Sequence, residues 1–384
     1  MINLLEWQSE ALNSFIQHNY NGIVEAGTGT GKTILGISCI LLDIQKEKIW
    51  IVVHTEQLMF QWKSEIEKYI KNEEIGLIGG GIKNEKRITV AIINSVRNYF
   101  KIMNGFLIVD EVHHLPSDKN IKLIIKNNFN KFLGLTATLI RSDEKHIVLM
   151  DTLGTSVIYS YSQKNAIKDG LLSKFIIINK SIELTLDERI KYNNLDIIIK
   201  NLINEFGGLY NLIRLSKKNM RAANGMRAIQ KRKEIVINAK NKLNKTIKIL
   251  SEVNYKKAII FCEQILIARD IQLLIDDSGK YWSGLTSNEK KITLQNFKDS
   301  KIKVLVTAKA LDEGLNVPEC DLGIIIGGTS TNRQNIQRMG RILRVQEGKI
   351  AKIYNVYCKN TVEEVWLRKR ISEAEENAIN VIWE

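Results

Sequence analysis

Ala26-Gly27-Thr28-Gly29-Thr30-Gly31-Lys32-Thr33 is the stretch on which the reading of this chain turns. It follows the apolar strand pattern Gly22–Ala26 and opens the apolar helical run Ile34–Leu42. Three glycines at alternate positions let the backbone curl until its N–H groups converge on one point. The start of the following helix adds partial positive charge there. That combination is a cradle for phosphate oxygens. Lys32 stands where an ammonium reaches the outer phosphates, and the Thr33 hydroxyl where it ligates Mg²⁺. Gly27, Thr28, Gly29, Thr30, Gly31, Lys32 and Thr33 are therefore the expected nucleotide contacts, with ATP and Mg²⁺ as the expected cofactors.

A nucleotide cradle becomes a hydrolysis site when carboxylates reach the same strand edge. Phe106-Leu107-Ile108-Val109 is a buried-strand pattern that ends in Asp110-Glu111-Val112-His113-His114. Asp110 is placed to hold Mg²⁺ through water, and Glu111 to orient or deprotonate the attacking water. His113 and His114 read as coupling or packing residues, since the whole chain has only five histidines.

Short apolar runs alternate with helical patterns along most of the chain, which predicts parallel sheets built from βαβ units. The expected strands are Gly22–Ala26, Lys48–Val53, Ile88–Ile93, Phe106–Val109 and Phe132–Leu135, then Lys257–Cys262, Lys303–Thr307, Leu322–Ile326 and Ala351–Tyr357. Residues 187–250 lack any strand pattern and read as two or three helices broken near Gly207-Gly208 and Gly225. A chain of 384 residues exceeds one ordinary core. The predicted fold is α/β, with a first parallel-sheet domain over residues 1–155, a connector and helical insert over 156–250, and a second parallel-sheet domain over 251–384.

The net charge of +14 is concentrated. Residues 211–248 hold twelve lysines and arginines against the single acid Glu234, so this stretch alone carries +11. Arg214, Lys217, Lys218 and Arg221 follow one another at three- and four-residue steps, the spacing of one helical face, and Arg227, Lys231 and Arg232 repeat the pattern. Aromatic residues are nearly absent, so phosphate contact rather than base stacking is the expected mode of binding. No apolar run approaches the roughly 20 residues of a membrane span, and the first residues carry no secretory-signal pattern. The scattered cysteines Cys39, Cys262, Cys320 and Cys358 have no metal-ligand spacing and read as reduced core residues of a cytoplasmic protein.

The cradle, the Asp110-Glu111 pair and Gly134-Leu135-Thr136-Ala137-Thr138 resemble motifs I, II and III of the superfamily 2 helicases. Gln8, in Trp7-Gln8-Ser9, matches the glutamine that reads the adenine in that family. Thr55 and Gln61-Trp62 fall at motif Ia and Asn94-Ser95-Val96 at motif Ic, which implies contact with a nucleic-acid backbone. Phe261-Cys262-Glu263 sits at motif IV, and Ser283-Gly284 lies in a segment similar to motif IVa. Thr307 heads a stretch similar to motif V, which implies a phosphate-backbone contact, with Asp312, Glu313 and Gly314 at the nucleotide cleft. Gln337-Arg338-Met339-Gly340-Arg341-Ile342-Leu343-Arg344 resembles motif VI. Arginines three apart share a helix face, so the resemblance gives Arg341 and Arg344 the role of γ-phosphate fingers, with Gln337 assisting. Such fingers raise phosphoryl-transfer rates by ~10³–10⁵.

The string Leu311-Asp312-Glu313-Gly314-Leu315-Asn316-Val317-Pro318, with Gly327–Ser330 and Ile336–Arg344, is most similar to the XPB-like branch. That resemblance implies two RecA-like domains with a thumb-like helical insert, here without the branch's N-terminal damage-recognition domain. Arg141-Ser142-Asp143 stands where the branch carries an Arg-Glu-Asp element. The implied function is ATP-driven movement along DNA, or its remodelling, the DNA being duplex, forked or junctioned. Two alternatives stay open: an ATPase switch that recruits a nuclease or a repair or transcription partner, and an RNA helicase.

Overall fold

The computed structural model describes residues 2–42, 47–71, 74–97, 103–115, 120–121, 127–140, 144–308, 320–328, 342 and 350–384. The chain divides into two compact units between Leu172 and Ser173.

The first unit runs through α1 (Glu6–Gln17), β1 (Asn21–Ala26), α2 (Lys32–Leu42), β2 (Ile49–Val53), α3 (Glu56–Tyr69), β3 (Ile75–Gly79), β4 (Ile82–Asn84) and β5 (Ile88–Ile92). It continues with the single turn α4 (Ile93–Val96), β6 (Asn104–Asp110), a 3₁₀ turn at Val112–His114, β7 (Asn128–Thr136), α5 (Lys145–Leu153), β8 (Val157–Tyr161) and α6 (Gln163–Lys168). Its eight described strands lie in the order β4-β3-β5-β2-β6-β7-β1-β8. Among the described pairs only β3–β4 is antiparallel. Parallel strands covered on both faces are apolar throughout rather than alternating. β2 accordingly reads Ile-Trp-Ile-Val-Val with every residue buried. In register, Asp110 lies opposite Leu135 and Thr136 opposite Glu25. The C-terminal ends of β6, β7 and β1 therefore finish at one level.

The second unit opens with β9 (Lys174–Ile182), leaves the sheet through α7 (Leu186–Glu205), α8 (Leu209–Leu215) and α9 (Met220–Ile237), and returns in α10 (Asn241–Glu252). It then alternates β10 (Ala258–Cys262), α11 (Ile265–Leu273), β11 (Ser278–Trp282), α12 (Ser287–Lys298), β12 (Val304–Ala308) and β13 (Leu322–Ile326). β14 (Ile350–Cys358), α13 (Val362–Glu375) and β15 (Asn380–Trp383) close it. The strand order is β11-β12-β10-β13-β14-β9-β15, and every described pair is parallel. Both units have the RecA-like α/β architecture that the sequence predicts.

All nine expected strands are present. Among the described residues six more strands occur that were not among those nine: β3, β4, β8, β9, β11 and β15. β8 (Val-Ile-Tyr-Ser-Tyr) and β15 are edge strands with little burial and so need no unbroken apolar run. β9 is interrupted by Asn179, whose side-chain carbonyl accepts from Asn355 Nδ2 at 2.9 Å on the neighbouring β14. β8 joins the first sheet and β9 the second, although both lie within 156–250. Because β9 precedes the helical arm and α10 packs Ile249 into the second core, the arm is an insertion inside the second unit.

The arm has a small core of its own, formed by Leu202, Leu212 and Ala222. The helix break at Gly207-Gly208 is present, but the break expected at Gly225 is not. Gly225 lies inside α9, where an added Cβ would sit 3.0 Å from Leu212 Cδ1 and 3.2 Å from Leu202 Cδ1. It is a close-approach glycine. Among the described residues no helix is long and apolar enough to cross a membrane. All four cysteines are buried and unbridged.

Candidate nucleotide site and nucleic-acid interface

The loop after β1 delivers its glycines in the conformation that the cradle needs. Gly29 and Gly31 have φ of 86° and 100°, a region in which a side chain is strained. Thr30 Oγ1 donates to Gly27 O at 2.7 Å, which closes the loop on itself. Lys32, the first residue of α2, is buried, and its ammonium donates to Ala26 O at 2.7 Å and Gly27 O at 3.2 Å. Gln8 donates from Nε2 to Gly31 O at 3.1 Å while its Oε1 accepts from Leu5 N at 2.9 Å. An added Cβ at Gly31 would meet Gln8 Nε2 at 2.6 Å. Gln8 thus braces the loop from α1. The Thr28 hydroxyl is buried and has no partner among the described residues. A phosphate oxygen would satisfy it, so the loop fits the group for which its sequence is built.

At the end of β6, Asp110 and Glu111 are both largely buried. Asp110 Oδ1 accepts from Glu111 N at 3.0 Å, and Oδ2 accepts from Trp62 Nε1 at 2.9 Å. Glu111 sits in the left-handed region, with φ 50° and ψ 53°, a strained conformation for a residue with a side chain. It turns the chain from the strand into the 3₁₀ turn that carries both histidines. Thr136 donates its one hydroxyl proton to Thr138 O at 3.0 Å, so at the 2.9 Å contact His113 Nδ1 is the donor to Thr136 Oγ1. The same nitrogen lies 3.3 Å from Glu111 Oε2. This short chain of contacts links Glu111, His113 and Thr136 at the ends of β6 and β7. His114 lies against His113 and His54, with ring centroids 4.1 and 4.2 Å apart. No metal-binding group of three or more His, Cys, Asp or Glu residues occurs among the described residues.

Trp62 departs from its sequence reading. Motif Ia placed it at the nucleic-acid backbone, yet it is 1% exposed and bonds Asp110. The signal was present in the sequence: Leu58, Trp62 and Ile66 recur every four residues, the stripe of a buried helix face. His54 was not singled out in the sequence, and its Nε2 lies 3.2 Å from the Glu111 carbonyl. Thr55 caps α3 by accepting from Leu58 N at 3.2 Å and stays half-buried. In α4, Asn94 is exposed and Ser95 half-buried.

Comparison with known proteins agrees with this geometry. A family described as "Type III restriction enzyme, res subunit" matches residues 1–141, and one described as "Helicase conserved C-terminal domain" matches residues 241–346. The DNA 3'-5' translocase XPB2 of Sulfurisphaera tokodaii is 31% identical over 96% of this chain and 84% of its own length. The chain belongs to the XPB-like superfamily 2 helicases. Putative helicase 22 of a Sulfolobus islandicus filamentous virus is 24% identical over 90% of this chain and 63% of its own. The DNA 3'-5' helicase XPB of Kineococcus radiotolerans is 22% identical, over 96% and 62%.

In this XPB-like helicase the arm between β9 and α10 carries most of the basic stretch, but not as one helical face. Arg214 lies on α8, Lys217 and Lys218 in the turn, and Arg221 on α9. Asn219 ends the continuity: its side chain accepts from Arg221 N at 2.9 Å and Ala222 N at 3.1 Å and so starts a new helix. All four basic residues are exposed around this corner, and Arg221 pairs with Glu205 at 3.1 Å. Further along, Arg232 is turned inward onto Asp196 and the Tyr192 ring. Lys242 is wholly buried, its Nζ 2.6 Å from Glu363 Oε1, and is no part of a positive surface. Ser283 and Gly284 form an exposed turn after β11, with Gly284 at φ 96°. Thr307 is buried on β12, and its hydroxyl has no partner among the described residues. Gln337, Arg338, Arg341 and Arg344 lie outside the described residues, as do Asp312, Glu313, Gly314 and Arg141-Ser142-Asp143. Between the arginines, Ile342 is buried against β13, where an added Cβ on Gly323 would lie 2.0 Å from Ile342 Cδ1.

Proposed function

We propose that the protein is an ATP-driven DNA translocase or helicase that uses one nucleotide site to move along, or remodel, double-stranded or branched DNA. The observation that supports this reading best is the braced pair at the end of β6. Asp110 is held by two hydrogen bonds, and Glu111 Oε2 lies 3.3 Å from the His113 nitrogen that bonds Thr136. A water activated by Glu111 attacks the γ-phosphate, the P–O bond to ADP breaks, and Lys32 offsets charge on the outer phosphates. Thr33 and Asp110 would hold Mg²⁺, which neutralises phosphate charge when bound. Arg341, Arg344 and Gln337 are assigned to the γ-phosphate, and Asp312, Glu313 and Gly314 to the nucleotide cleft.

Thr55, Asn94, Ser95, Ser283, Gly284 and Thr307 are assigned to the phosphodiester backbone, together with the corner formed by Arg214, Lys217, Lys218 and Arg221. Salt-sensitive, sequence-independent binding follows from such contacts. The name of the Sulfurisphaera relative supports DNA as the track. We place the protein in the cytoplasm, working with DNA and with a nuclease or repair partner. The deciding experiment measures ATP hydrolysis with duplex, forked and junction DNA and with RNA, alongside displacement of a third strand from a triplex. Stimulation by DNA with displacement is the expected result. Stimulation without displacement would reassign the protein as a switch, and preferential stimulation by RNA would reassign its track.

A further inference from the structure

We propose that Trp62 is a positioning residue that couples nucleic-acid engagement by the β2–α3 segment to the carboxylate pair of the ATP site. The proposal rests on the reading of Thr55 as a backbone contact. Two hydrogen bonds run from this one segment to two consecutive residues. His54 Nε2 reaches the Glu111 carbonyl at 3.2 Å, and Trp62 Nε1 reaches Asp110 Oδ2 at 2.9 Å. Glu111 holds a left-handed backbone that a side chain disfavours, so its geometry depends on external restraint of this kind. Asp110 has its second oxygen fixed by Glu111 N, which leaves the indole as the restraint arriving from a separate element.

Trp62 also touches the helix that begins with Lys32. An added Cβ at Gly36 would lie 2.6 Å from Trp62 Cη2 and 3.3 Å from Cζ3. The ring therefore fills the space beside α2 that only a glycine leaves open. One rigid side chain on α3 contacts the phosphate-loop helix on one side and the Mg²⁺-assigned aspartate on the other. Thr55 caps that same α3 and is half-buried at its start. A shift of α3 when Thr55 grips a backbone phosphate must therefore move the indole N–H relative to Asp110. Because coupling between two binding sites is reciprocal, nucleotide at Asp110 must in turn alter the affinity for DNA.

The test reads binding rather than turnover. In the full chain, DNA affinity is measured by fluorescence anisotropy with and without a non-hydrolysable ATP analogue plus Mg²⁺. The wild-type protein is expected to show a ratio of about 5–150 between the two, the usual range for coupled sites. Trp62→Phe keeps most of the ring and removes the N–H donor. It is expected to bring the ratio to within about twofold of one while DNA affinity without nucleotide stays at the wild-type value. A purely structural role would instead weaken DNA binding in both states together. Gly36→Ala, which displaces the ring without removing its donor, is expected to reduce the ratio as well and serves if Trp62→Phe does not fold. A wild-type ratio retained in either folded variant overturns the proposal, as does a ratio of one in the wild-type protein. If the wild-type protein fails to bind DNA or the analogue at all, the translocase reading itself is what fails.

Discussion

Replacing Lys242 by Met removes one half of an ion pair that has no exposed side-chain surface on either partner. Glu363 Oε1 then loses the ammonium 2.6 Å away, while Oε2 keeps its bond from Cys358 N at 2.9 Å. Breaking a buried pair while leaving the other charge in place costs about 3–5 kcal/mol. At about 1.4 kcal/mol per tenfold change, that lowers the folding equilibrium of the second unit by two to nearly four powers of ten. Lys242→Met/Glu363→Gln removes both charges and retains an acceptor for Cys358 N, so it is expected to recover at least half of the loss. Urea unfolding followed by circular dichroism gives the totals. Hydrogen exchange across α10 and α13, the helices that carry the two residues, locates the effect. A loss below about 1 kcal/mol for Lys242→Met, or a double variant as unstable as the single one, would refute the reasoning from buried-charge energetics.

Glu111→Gln removes the proposed base and should lower DNA-stimulated phosphate release by about 10²–10⁴-fold, with nucleotide binding retained when measured by equilibrium titration. Replacing Arg214, Lys217, Lys218 and Arg221 by Ala should weaken DNA binding of any sequence, and the log–log salt slope should flatten by about 0.9 for each phosphate that is no longer neutralised. Burial works against the charged form of Asp196, but the hydrogen bonds and charges of Lys200 and Arg232 outweigh it and hold the carboxyl below its usual range. A depressed folded value means that this contribution is complete above the unfolded carboxyl's pKa of about 3.9 and disappears as the pH falls through the lower folded value. Thermal unfolding from about pH 6 down to pH 3 should show a fall in the wild-type protein that is shallower in Asp196→Asn.

What the sequence disclosed was whatever is contiguous. The cradle from Gly27 to Thr33 and the carboxylates at Asp110 and Glu111 carry their chemistry within a few residues, and each stands at its expected strand end. Pairings across long separations left no trace. Trp62 and Asp110 are 48 residues apart, and Lys242 and Glu363 are 121 apart. Counting Lys242 with the basic arm follows naturally from its neighbours, because a charge total cannot register which ammonium is folded inward. The reading of Arg214 through Arg221 as one face failed for a local reason: the Asn219 side chain ends one helix and starts the next. β8 and β15 were missed because strands at a sheet margin need not be apolar.

The helical arm starts from β9 and re-enters through α10, so both of its feet stand on one plate. Each turn added to the outbound α7 and matched in the returning α9 would lengthen the projection by about 5.4 Å. No strand would change its neighbours in the process. Reach is thereby separated from scaffold: the arm can be resized by insertion or deletion in whole helical turns while the sheet that carries it keeps its strand order.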